Sequence, residues 1–207
     1  MKNCTLIPIL FLLVSCGETM AFRGASQDDS VPAYRDYLQK YPDGSHTEAA
    51  HRRVEDLLHE QALKEKKLES IDRYLREYPK GRHVQQATIE RRKLAYDLAR
   101  SEDTPAAYRT FLRQHPEGAL AESARERIEG QSFGEAIREN TTNAYRMFIQ
   151  LFPDSRHRQE AETALARAAF IEAAQADTEE RYQQFLRSHA DSSYGERARE
   201  RLQAMTK

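Results

Sequence analysis

The chain has 207 residues, of which 39% are hydrophobic and 31% charged, with no Trp and a mean hydropathy of −0.84. That length suits one or two ordinary domains, but so little apolar content argues against a single compact core. With 32 Lys and Arg against 33 Asp and Glu the net charge is −1, which excludes a generally basic nucleic-acid binder and the charge excess of many disordered chains.

The first elements are an address. Lys2 is followed by nine mostly aliphatic residues, Leu6 to Val14, the layout of a signal peptide. Nine residues cannot span a bilayer, which needs about 20. The boundary Leu13-Val14-Ser15-Cys16 resembles the bacterial lipobox, in which the Cys is lipidated and becomes the new N-terminus. The alternative is an ordinary secretory signal with a chance Cys. With a signal over 1–15, Cys16 is the lipidation site and residues 16–28 form a tether or partial first helix. No Cys follows it, so neither disulfides nor thiolate metal sites are expected. Resemblance to Gram-negative lipoprotein sorting, with Gly17 after the Cys, implies an outer-membrane location facing the periplasm. Several acyl chains, palmitate among them, would make the anchoring stable.

A period of 37 organises the rest. Pro42, Pro79, Pro116 and Pro153 are spaced by it, as are Ala50, Ala87, Ala124, Ala161 and Ala198. Tyr37, Tyr74, Phe111, Phe148 and Phe185 form one ring-bearing column. Tyr34, Tyr108, Tyr145 and Tyr182 form another, with Ile71. Of the 17 Tyr and Phe after the signal, 16 fall in four columns. Residues 29–207 therefore read as helical repeats, five units of 37 counted from residue 20.

Each unit reads as two helices. In the third, Asp103-Thr104-Pro105 is a start, with Asp or Thr as N-cap. Tyr108, Phe111, Leu112 and His115 then mark one helical face, and Pro116-Glu117-Gly118 is a stop. A longer helix with Ala124, Ile128, Phe133 and Ala136 inward follows. Lys66-Lys67 lacks the cap chemistry found at the other junctions, which predicts a more continuous second junction. Gly130 and Gly134 predict a kink or hinge in the third long helix. The expected fold class is all-α, a right-handed α-solenoid of antiparallel helix pairs, because one pair cannot bury its aromatic face alone.

The segment Ala107-Tyr108-x-x-Phe111-Leu112-x-x-x-Pro116-x-Gly118, followed by Ala124, resembles tetratricopeptide-type (TPR-like) repeats of bacterial envelope proteins. The unit departs from the usual 34 residues and lacks that motif's Trp and Gly positions. Five such units behind a lipobox also resemble the lipoprotein subunit of the outer-membrane β-barrel assembly machinery. The resemblance implies a fold that binds proteins, and the second likeness implies a part in outer-membrane protein assembly.

No phosphate loop, zincin motif or nucleophile elbow is present, so neither catalytic residues nor cofactors are expected. His46, His83 and His157 share a column, but neighbouring units lie too far apart for one metal shell. They read instead as starts of the long helices, and His115 and His189 as packing residues. Arg35, Arg76, Arg109, Arg113, Arg146 and Arg187 form a candidate partner-binding strip on the short helices. The alternative is the solvated side of five amphipathic helices. The expected protein is a non-catalytic, lipid-anchored scaffold for protein–protein interaction in the cell envelope, with no nucleic-acid or small-molecule substrate. The competing reading is a module that binds peptidoglycan or another anionic ligand.

Overall fold

The computed structural model describes residues 9–206, with side chains from residue 17 onward. These residues form eleven helices and no strand: α1 (Ile9–Asp28), α2 (Val31–Lys40), α3 (Thr47–Glu65), α4 (Leu68–Glu77), α5 (Val84–Glu102), α6 (Pro105–Gln114), α7 (Ala119–Glu139), α8 (Thr142–Leu151), α9 (Arg158–Ala176), α10 (Glu179–His189) and α11 (Gly195–Met205). The protein is all-α. It divides into two compact units, one reaching to Leu98 and the other starting at Ala99.

In the first unit α1 packs on α2, α2 on α3 and α3 on α4. Tyr34 and Tyr37 of α2 cluster with Ala25 of α1 and with Ala50 and Val54 of α3. Ile71 and Tyr74 of α4 cluster with Ala62 of α3 and Ala87 of α5. The second unit follows the same scheme. Tyr145 and Phe148 of α8 gather with Phe133, Ala136 and Ala161, while Tyr182 and Phe185 of α10 gather with Ala173 and Ala198. The alanine expected at each close helix crossing is sealed from solvent in both units: Ala50, Ala124, Ala161 and Ala198 are 0% exposed and Ala87 is 1% exposed. Each buried ring contributes on the order of 2 kcal/mol of apolar transfer, and the small methyl of each alanine leaves room for that ring.

The junctions show how the sequence turns. Asp29, Asp103, Asn140 and Asp177 adopt left-handed backbone, with φ from 43° to 48°, a conformation that Asp and Asn tolerate best after Gly. The next residue caps the following helix: Ser30 accepts from the Ala33 amide, Thr104 from Ala107, Thr141 from Ala144 and Thr178 from Arg181. Thr104 rather than Asp103 is thus the N-cap of α6. Three of the left-handed carboxylates are held twice. Asp103 accepts from the Tyr108 hydroxyl at 2.9 Å and from Arg127 at 2.6 Å and 2.7 Å. Asp29 does so from Tyr34 and Arg53, and Asp177 from Tyr182 and Arg201. The arginine bonds, then the tyrosine ones, hold all three carboxyls below their ordinary range.

Two expectations are overturned. The second junction is not continuous: α3 stops at Glu65, Lys66 takes φ 50°, and α4 begins after Lys67, which offers no side-chain cap. Burial of Ala62, Ile71 and Tyr74 imposes that turn without local cap chemistry. Nor does α7 break at its glycines. It runs unbroken for 21 residues through Gly130 and Gly134, with Ile128, Phe133 and Ala136 buried around them.

Proline sets the length of the short helices. Pro42, Pro79, Pro116 and Pro153 keep the preceding residue out of helical backbone, at φ −124° to −136° and ψ 65° to 73°, and α2, α4, α6 and α8 each stop at ten residues. Where Ala190 replaces the proline, its backbone stays helical and α10 gains an eleventh residue. Gly195 answers that extension, since a Cβ there would lie 2.0 Å from the Ala190 carbonyl oxygen.

The bare junction is testable. Lys67→Ser installs the missing cap and should raise the stability of the first unit by about 1 kcal/mol, read as a higher urea midpoint. An unchanged midpoint would mean that capping does not limit this turn.

Candidate interaction surface

All six arginines of the expected strip are exposed. In the first unit Arg35 on α2 is already paired, its guanidinium donating to Glu77 of α4 at 2.6 Å, while Arg76 lies in the last turn of α4. In the second unit Arg109 and Arg113 lie on α6, with Arg113 donating to Thr110. Arg146 of α8 lines a pocket of about 120 Å³ with Arg181 and His189, and Arg187 of α10 lines another with Glu162 and Asp191. The arginines are surface residues with separate surroundings. The Cys16 side chain, and with it the expected lipidation site, lies outside the described residues.

The histidine column serves ring packing. His46 stacks on Phe22 with centroids 4.4 Å apart and His157 on Phe133 at 4.5 Å. His115 and His189 lie against Phe111 and Phe185. One stack is different in kind, because His59 occupies the place of the phenylalanine. It stacks on His83 at 4.4 Å, is 5% exposed, and its Nε2 has no hydrogen-bond partner. His83 in turn is bonded to Asp56 at 2.6 Å. Among the described residues no group of three His, Cys, Asp or Glu is placed to hold a metal ion.

Sequence reasoning missed two buried carboxylates. Glu18 accepts from the Tyr37 hydroxyl at 2.8 Å, from Ser45 at 3.0 Å and from the His46 amide at 3.3 Å. The Tyr37 bond leads in holding its carboxyl low, although burial opposes it. Glu55 repeats the arrangement with the Tyr74 hydroxyl and the Arg82 amide. Burial, then Glu55, pushes the Tyr74 hydroxyl up to about 12. Each carboxylate meets a main-chain amide where a long helix begins, the end of a helix that favours negative charge. A Cβ at Gly44 or Gly81 would fall within 2.6 Å of the carboxylate oxygen, so the glycine, tyrosine and glutamate form one packed set. Their shared spacing of 37 was the available signal. The arrangement is structural: its donors already satisfy the carboxylate.

The surface feature of the second unit is a groove of about 810 Å³ between α7 and α8, with Asp103 and Pro105 also in its lining. Gly134 lies in its α7 wall, and Met147, Phe148 and Leu151 line the α8 side. Met147 is 48% exposed and Leu151 64%, a large apolar investment for a surface helix. A Cβ added at Gly130 or Gly134 would meet nothing within 4 Å, so packing does not require either glycine. The charged residues of the lining are Asp103, Glu135, Glu139 and Arg138. Arg127 holds Asp103 and Arg138 pairs with Glu135. Gln131 spans the floor by donating to Asp103, and its Oε1 is buried without a partner. Such an arrangement can receive apolar side chains and a cation.

The histidine stack yields a pH prediction. Burial, then the neighbouring His83, pushes His59 below its ordinary value, while Asp56, Glu60 and Glu55 oppose the shift. A depressed folded-state value means that stability is intact above the unfolded value near 6.5 and is lost as the pH falls below it. The first unit should therefore weaken as the pH falls below about 6.5. His59→Phe should remove that dependence, and a variant with the same pH profile in chemical denaturation would refute the assignment. No known protein-family model matches the chain, and no curated protein matches it significantly.

Proposed function

We propose that the chain is a non-catalytic scaffold, lipidated at Cys16 and held at the outer membrane, that presents an α-solenoid of five TPR-like helix pairs to other envelope proteins. The observation that carries this reading is the open groove of the second unit, lined by Met147, Phe148 and Leu151. Exposed apolar contours of that kind mark protein contact sites, and grooves between helices receive partner segments.

The lipobox residues Leu13-Val14-Ser15-Cys16 support the anchor. Among the described residues no helix is long and apolar enough to cross a membrane, so attachment through acyl chains is the mode this reading requires. A solenoid is the arrangement that lets sealed alanines recur every 37 residues, because each layer then needs only its neighbour. Service in outer-membrane protein assembly is the most specific form of the proposal, and organisation of an envelope complex the broader one. The arginine strip, as a peptidoglycan or anionic-ligand site, is the weaker reading, since Arg35 is already engaged by Glu77.

Two measurements test the proposal. Cys16→Ser should move the chain from the membrane to the soluble fraction of intact cells; retention in the membrane would refute the anchor. Crosslinking of the anchored chain should then recover discrete envelope proteins. Recovery of peptidoglycan alone, released by salt, would replace the scaffold with the wall-binding reading.

A further inference from the structure

The chain carries its own control for the groove, since each position can be compared with those 37 residues away. Where the fourth short helix has Met147, the others have Asp36, Arg73, Thr110 and Gln184. At Leu151 they have Lys40, Glu77, Gln114 and Ser188. Gly130 stands where the others have Thr19, Asp56, Lys93 and Arg167, and Gly134 where they have Arg23, Glu60, Asp97 and Ile171. Two polar positions have become exposed and apolar, and two occupied positions have lost their side chains. Three of the four, Gly134, Met147 and Leu151, line the same groove, and Gly130 lies one turn before Gly134 on α7.

The fold explains none of these changes. A glycine within a helix weakens it relative to alanine, and nothing approaches Gly130 or Gly134 closely enough to exclude a side chain. Met147 and Leu151 are largely exposed, so the core gains little from them. A backbone brought close at Gly134, with its apolar side chains against Met147 and Leu151, accounts for all the changes together.

We infer that this groove is the docking site for an amphipathic helix of a partner protein, one that carries apolar side chains about one turn apart and a Lys or Arg beside them. The inference rests on the scaffold reading and names the chemistry of its partner. Helix follows from the walls: Met147 and Leu151 make a ridge at i, i+4 on α8, a spacing that another helix matches. The basic residue follows from charge. Of the three carboxylates that line the groove, Asp103 is held by Arg127 and Glu135 by Arg138, which leaves the Glu139 carboxylate without a hydrogen bond or ion pair among the described residues. Charge opposite to the rim favours encounter and register. A second copy of this chain docking face to face would bring the same acidic rim against itself.

The test uses the full chain carrying Cys16→Ser and a random peptide display library long enough for helices of about 15 residues. Selection should enrich peptides with apolar residues at i, i+3 or i+4 and a neighbouring Lys or Arg. A synthetic copy of the enriched peptide should bind about ten-fold more weakly to Gly134→Leu and to Glu139→Lys. Gly134→Leu should melt no lower than the parent chain, which separates a filled groove from a misfolded one. Peptides bound equally by Gly134→Leu would overturn the groove while leaving the scaffold reading in place. Failure to enrich any peptide would count against both. Enriched acidic peptides, or a dimer of the chain abolished by Leu151→Lys, would overturn the basic helix as occupant.

Discussion

The packing of an alanine methyl against two larger side chains of a short helix is the contact on which the rest of the structure depends. Ala50 meets it through Tyr34 and Tyr37, Ala87 through Ile71 and Tyr74, Ala161 through Tyr145 and Phe148, and Ala198 through Tyr182 and Phe185. Any larger residue at the alanine would force the helices apart or push a ring off its rotamer, at about 1–3 kcal/mol. Because the layer needs only a few apolar positions, a chain that is 39% hydrophobic can still bury each of its layers. The other positions are left to water, and a helix so built can vary its exposed face with little effect on stability.

Polar contacts hold the geometry of that layer. Where a short helix begins, a left-handed Asp or Asn accepts from the tyrosine that enters the core five residues later, as Asp103 does from Tyr108 and Asn140 from Tyr145. Turn, cap and core residue are therefore set by one another. The second junction shows the same layer surviving without them: Lys66, Ile71 and Glu90 stand where the preceding repeat has Asp29, Tyr34 and Arg53. All three partners change together there, whereas the Tyr145–Asn140 bond persists with Ala164 in the arginine's place. Buried carboxylates at Glu18 and Glu55 follow the same logic with Tyr37 and Tyr74.

Much of the fold was legible because it is periodic. The alanine and ring columns, the caps at Ser30, Thr104, Thr141 and Thr178, and the proline stops could all be read by adding 37. What escaped was whatever depends on a partner distant in the chain. Arg35 is exposed, as its helical face requires, yet its engagement by Glu77 42 residues away has no local signature. Burial of Glu18 has no local signature either, because its donors come from α2 and from the turn before α3. The proposed binding site was missed for a different reason. Reading for agreement between units makes Gly134, Met147 and Leu151 look like noise, and a helix-breaking propensity suggested a hinge where neighbouring layers keep α7 whole. A search for disagreement would have singled out the same residues, though not that they share a groove.

The proposed scaffold thus separates two sets of positions: those the layers demand, and those free to serve a partner. Assignment of Met147 and Leu151 to the second set is most directly tested by giving them the residues found 37 positions earlier, Thr110 and Gln114, and measuring the free energy of unfolding in urea. If the side chains serve a partner, the double variant should match the parent chain to within about 0.5 kcal/mol. A loss of about 2 kcal/mol or more would place them in the core and contradict the assignment.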